Sequence, residues 1–156
     1  MDTKILREQL LKLLEGANAH ITFQGAIKDF PIESINARVP GIPYSAWELI
    51  EHMRIAQYDI LNFIINPDYK EMKWPEEYWP QKGMVATTGH WNKTIAEFEK
   101  DMASLKEIVG DSQTDFTGGI PHAPGYTILR EVLLVADHNS YHTGQIIAIR
   151  RALNIY

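Results

Sequence analysis

The 156-residue chain contains no cysteine. That absence removes disulfides, thiolate metal sites, iron–sulfur clusters and a cysteine nucleophile together. Long apolar runs are also missing. No stretch approaches the roughly 20 apolar residues of a membrane span, and the opening MDTKILREQLLKLLEG is charged throughout, unlike a signal peptide. Nor is there an excess of positive charge: 15 Lys and Arg face 20 Asp and Glu, for a net charge of −5. This balance argues against a general phosphate-binding surface. The expectation is a cytoplasmic protein with neither nucleic acid nor membrane among its partners. No G-x-S-x-G elbow, Walker loop or dinucleotide-binding glycine fingerprint occurs.

What is present has the balance of an ordinary folded domain. Hydrophobic residues make up 45% and charged ones 22%, enough to build one core and too apolar for disorder. Residues 1–156 are read as a single domain.

Helical periodicity dominates. Ile5, Leu6, Leu10, Leu13, Leu14 and Ala17 recur at helical spacing, and Phe23, Ala26, Ile27 and Phe30 follow beyond Gly16. Both are read as one broken or kinked first helix. Ser45 and Glu48 form an S-x-x-E capping box, opening an apolar stripe through Leu49, Met53, Ala56, Ile60, Phe63 and Ile64. A further helix starts near Thr88 and carries Trp91, Ile95, Phe98, Met102, Leu105 and Val109, with Gly110 as its C′ residue. Thr127 caps a last helix of about 128–153. Residues 31–44, 67–87 and 110–126 are loops, the second rich in Trp and Tyr, and no strand pair is expected. Four long amphipathic segments in one domain predict an all-α four-helix bundle.

The last helix carries His138 and His142. A spacing of four puts both imidazoles on one helical face, about 6 Å apart along the axis, close enough to share a metal ion. Leu134, Val135 and Ile149 lie on that face, so the pair points inward. His52, beside Met53 in the inward stripe of another helix, is the natural third ligand. Three imidazoles leave coordination positions open, as catalytic zinc sites do. Asp59, two turns beyond His52, is a candidate fourth ligand or an anchor for a ligand imidazole. The competing reading is that inward histidines are hydrogen-bonded core residues. His20, His90 and His122 sit at helix starts or in loops and are read as surface or capping residues. Asn139 stands where a zincin protease has its catalytic Glu, which excludes that chemistry.

The stretch Gly41-Ile42-Pro43-Tyr44-Ser45-Ala46-Trp47-Glu48-Leu49-Ile50-Glu51-His52-Met53-Arg54 and the stretch Asp137-His138-Asn139-Ser140-Tyr141-His142-Thr143-Gly144-Gln145 resemble the DinB-like (YfiT-like) putative metalloenzyme family. The resemblance extends over nearly the whole chain. It implies an up-down-down-up four-helix bundle with a three-histidine site for zinc or nickel, matched here by His52, His138 and His142. It also implies homodimers, and in some members transfer or isomerisation chemistry using low-molecular-weight thiols. The expected activity is therefore that of a metal-dependent thiol transferase or hydrolase-like enzyme acting on small molecules. The alternatives are a non-catalytic metal-binding stress-response protein and a helical dimerisation module.

His52 and His138 both lie in the first half of their helices. The metal is accordingly expected toward the loops at 31–44 and 110–126, with Tyr44, Trp47, Tyr126 and Tyr141 as substrate-pocket residues. The aromatic residues 74–79 leave the far end of the His52 helix and rank below them.

Overall fold

Capping chemistry sets the principal helices in the computed structural model of the chain, which describes residues 3–16 and 18–155. Helix α3 (Ala46–Ile65) starts at the expected capping box. Ser45 Oγ accepts from the Glu48 N–H, and Glu48 accepts the Ser45 N–H at 2.7 Å. It stops at Asn66, before Pro67, where the α conformation is disfavoured. Helix α4 (Thr88–Gly110) is capped by Thr87, and His90 supplies the reciprocal bond by accepting the Thr87 N–H through Nδ1. Helix α5 (Ile128–Ala152) is capped by Thr127.

The expected kinked first helix is instead two helices, α1 (Thr3–Glu15) and α2 (Phe23–Ile27). Gly16, at φ +73°, turns the chain out of α1, and Thr22 caps α2 afresh through its hydroxyl. Ala17, assigned by spacing to the first stretch, lies outside the described residues. Gly110 closes α4 as its last helical residue, with Asp111 as the cap. A small hairpin, β1 (Gly119–Ile120) and β2 (Ala123–Thr127), occupies part of the loop read as strandless. Alternation over so few residues gives no period-2 signal.

Helix α3 packs on both α4 and α5, and α1 packs on the same two helices. Paired residues give the directions. Trp47 meets Thr94 and Gln57 meets the Phe98 carbonyl, so α3 and α4 run parallel. Gln57 meets Asn139 while Phe63, farther along α3, meets Tyr126, so α5 runs antiparallel to α3. Arg7 reaches the Val109 carbonyl, whereas Leu14 shares a cavity wall with Met102, so α1 is antiparallel to α4.

The parallel α3–α4 pair accounts for the long 67–87 segment. A chain leaving the C-terminal end of α3 must return along its whole length, about 30 Å, before α4 can start. Apolar packing divides into two clusters. One, around Leu49, Ile50, Met53, Phe98 and Ile146, fills the end where α3 begins. The other, around Leu61, Leu105, Phe116, Ile120 and Val132, fills the opposite end. No helix among the described residues is long and apolar enough to cross a membrane.

Candidate metal centre

His52, His138 and His142 come together between α3 and α5. One ring nitrogen from each lies within 4.8 Å of the others, and they can hold a metal ion. His52 and His142 are buried and His138 is half-buried. The ring centroids are 5.0, 4.9 and 4.4 Å apart, and each pair meets edge to face. The i,i+4 pair from α5 and the single residue from α3 meet because these helices are antiparallel neighbours.

Hydrogen bonds fix how two of the rings present themselves. His52 Nδ1 lies 2.7 Å from the Tyr78 carbonyl oxygen, and a carbonyl accepts only, so Nδ1 carries the proton. His142 Nδ1 lies 2.6 Å from Gln145 Oε1 and donates to it in the same way. Both rings therefore turn an Nε2 lone pair inward. His52 Nε2 and His138 Nε2 are 3.1 Å apart, the spacing of about 3 Å expected for two imidazoles bound near 2.0–2.1 Å to one ion. Two lone pairs at that separation repel unless a proton or cation joins them.

Burial opposes charge at all three rings. It lowers the pKa of His52 and His142, and it takes His138 down to about 4, helped by His142 and His52 nearby. The rings are neutral at pH 7, the form that ligates metals. With two oriented second nitrogens, neutral donors and converging lone pairs, the residues fit a divalent ion.

The amides behind the cluster are also oriented. Gln57 Nε2 donates to the Phe98 carbonyl at 2.7 Å, which leaves Gln57 Oε1 to accept Asn139 Nδ2 at 2.9 Å. Asn139 Oδ1 then remains buried, with no hydrogen-bond partner among the described residues. Gln145 faces two ways, toward His142 and toward the Tyr44 hydroxyl. Burial is the main cause that raises the Tyr44 pKa, followed by Tyr141.

The structure brings together only some of the residues expected around the metal. Tyr44 reaches Gln145, and Tyr141 lies 5.0 Å from the His142 ring while remaining exposed. Trp47 is buried on another face of α3, donating Nε1–H to Thr94. Tyr126 packs 5.4 Å from Phe63 and under Arg130, at the far end of α3. The reason is orientation: in antiparallel helices the 31–44 and 110–126 loops lie at opposite ends, so one site cannot adjoin both. Asp59 is not beside the imidazoles; it accepts from the Tyr69 and Tyr78 hydroxyls. His90 caps α4, while His122 Nε2 bonds the Phe63 carbonyl and His20 pairs with Ser140.

Of two further neighbours, Trp79 is ranked too low from the sequence, among the aromatic residues 74–79, and Gln145 has no role assigned from it. Trp79 stacks on His52 at 4.0 Å with ring planes 3° apart, and its backbone neighbour Tyr78 supplies the acceptor for His52. Gln145, three residues after His142, was within sight as an i,i+3 partner on the same helical face. Trp79 also lines a cavity of about 350 Å³, together with Pro43, Tyr44, Glu48, Pro80 and Lys82. The chain matches no protein-family model, no curated protein and no solved structure.

Proposed function

We propose that the chain is a DinB-like (YfiT-like) metalloprotein: an up-down-down-up four-helix bundle holding one zinc or nickel ion through His52, His138 and His142. The observation that carries this reading is the convergence of three neutral imidazoles, two with their second nitrogens committed to acceptors. The directions of α1, α3, α4 and α5 are those such a bundle needs, and the family resemblance points the same way. We assign it a cytoplasmic, homodimeric role as a metal-dependent thiol transferase or hydrolase-like enzyme acting on small molecules.

When bound, such an ion supplies Lewis acidity, which lowers the pKa of an added water or thiol. The chain's own residues do the rest. Tyr78 and Gln145 hold the His52 and His142 protons at Nδ1. Gln145 also faces the Tyr44 hydroxyl, whose raised pKa keeps its proton in place at neutral pH. Trp79, Tyr44 and Pro43 give the adjoining cavity apolar walls, with Lys82 at hand for polar groups. Such walls suit a small, partly hydrophobic electrophile or thiol conjugate better than a polyanion. With no cysteine in the chain, the thiol must arrive as cosubstrate.

Elemental analysis of protein purified without a histidine tag tests the metal. One zinc or nickel per chain, lost in H52A, H138A and H142A, is the expected result; a metal-free protein that takes up neither ion overturns it. Turnover of thiol-plus-electrophile mixtures, dependent on the metal and on all three histidines, then separates an enzyme from a metal-binding protein without activity.

A further inference from the structure

Tyr78 touches α3 at two places. Its carbonyl oxygen accepts from His52 Nδ1 at 2.7 Å, and its hydroxyl donates to Asp59 Oδ2 at 2.6 Å. Seven residues separate His52 from Asp59, which on a helix is two turns, about 10 Å along one face. One tyrosine, from main-chain oxygen to phenolic oxygen, lies along that face like a splint. Asp59 receives a second hydroxyl, from Tyr69 at 3.0 Å, on its other oxygen. Asp59 as a residue is only 8% exposed, and no ion pair involves it among the described residues. A buried carboxylate is costly unless hydrogen-bonded, and here the two phenols of the crossing segment supply the bonds.

From Tyr69 the chain passes through Trp74 and Pro75 into a single turn of 3-10 helix, Glu76–Tyr78, which ends on the second tyrosine. Immediately after it, Trp79 lies flat on His52 and against Tyr44. The segment that covers His52 is therefore held to α3 by Asp59 as well as by His52 itself.

We infer that, on the metal-site reading above, Asp59 is a positioning residue: by clasping Tyr69 and Tyr78 it straps residues 69–79 along α3, so that Tyr78 orients His52 and Trp79 shields it. Two consequences follow. Loss of the clasp weakens metal binding without removing a ligand, because an outer acceptor that fixes a ligand imidazole contributes a tenfold or greater share of affinity. The coupling is also reciprocal. A bound cation polarises the His52 N–H toward Tyr78 and so tightens the strap, and the tightened strap holds Trp79 over the site. Tyr69, which reaches Asp59 without contacting a histidine, contributes less than Tyr78.

The test uses the full chain with zinc as the probe, and the lack of cysteine leaves no competing thiolate sites. Zinc affinity is measured by chelator competition, and acrylamide quenching of tryptophan emission is measured with and without zinc, in wild type, Y69F, Y78F and D59A. Y78F and D59A are expected to bind zinc about tenfold more weakly and to show more quenching, while Y69F stays within about twofold. Y78F keeps every backbone atom and decides the matter if D59A fails to fold, as judged by far-UV circular dichroism. Melting temperatures that fall while zinc affinity and quenching stay at wild-type values mean that Asp59 merely stabilises the fold, and they overturn the inference. Should wild type bind no zinc, the metal reading fails on its own account. The quenching arm still decides the strap, since equal shielding of tryptophan in wild type, Y78F and D59A rules it out.

Discussion

Trp79 lies 4.0 Å from His52 with the two ring planes 3° from parallel, although 27 positions of chain separate them. Parallel contact at this distance buries one face of each ring and shields a ligand imidazole from water. It also places an indole beside any ion that His52 binds.

Nickel, which is paramagnetic, is therefore expected to quench tryptophan emission on binding, in proportion to occupancy. In W79F the quenching amplitude should drop sharply, because Trp47 and Trp91 sit in the core and Trp74 is exposed on the strap. A titration in which W79F quenches as wild type does would show that Trp79 is not the indole nearest the ion.

Metal removal should lower thermal stability. An ion at one hundred times its Kd stabilises the folded state by about 2.7 kcal/mol, which for a domain of this size is roughly 5–10 °C in Tm. Differential scanning calorimetry before and after chelation measures it. Confirmed metal loss with an unchanged Tm would mean that the histidines bind no more tightly in the folded state than in the unfolded one.

A pH effect is also expected at Asp101, on α4. Burial raises the Asp101 carboxyl above its ordinary 3.8 despite the opposing pull of Arg54 and Lys100. A folded-state pKa above the unfolded value means that the folded protein binds more protons in that window. Stability then falls as pH rises through it, and the ionised group remains a cost at pH 7. Asp101→Asn removes the cost: the variant should melt higher than wild type at pH 7, and the difference should shrink below pH 3, where both states are protonated. Equal Tm differences at both pH values would contradict the raised pKa.

The legible and the illegible parts of this chain divide by the range of the interactions involved. The caps at Ser45 and Thr127 and the inward His138–His142 pair depend on neighbours within one or two helical turns, and the local pattern carries them. The meeting of that pair with His52 needed one further step, an inward stripe on a second helix. What the pattern does not carry is direction. The same apolar stripes serve α3 and α4 whether they run parallel or antiparallel, and only the parallel arrangement sends residues 67–87 back along α3 to deliver Tyr78 and Trp79 to His52. The length of that segment was the available clue, since a tight turn needs only a few residues. Direction likewise explains Tyr126: antiparallel α5 starts at the end of α3 remote from His52, so a residue just before α5 packs on Phe63 instead.

Gln145 gives the last prediction. It accepts His142 Nδ1–H at 2.6 Å and faces the Tyr44 hydroxyl with its amide, so it stands between a ligand imidazole and a wall of the adjoining cavity. Gln145→Ala removes the acceptor without touching a ligand and should cost about 10- to 100-fold in zinc affinity. Tyr44→Phe keeps the acceptor and loses only the bond on the other side of the amide, so its loss should be smaller. Gln145→Glu supplies a stronger acceptor, makes the imidazole more basic, and should bind zinc at least as well as wild type. Affinities measured by chelator competition should therefore rank Gln145→Glu first, Tyr44→Phe next and Gln145→Ala last. If Gln145→Ala binds zinc as tightly as wild type, His142 is oriented by packing alone, and the polar link from the cavity to the cluster does not exist.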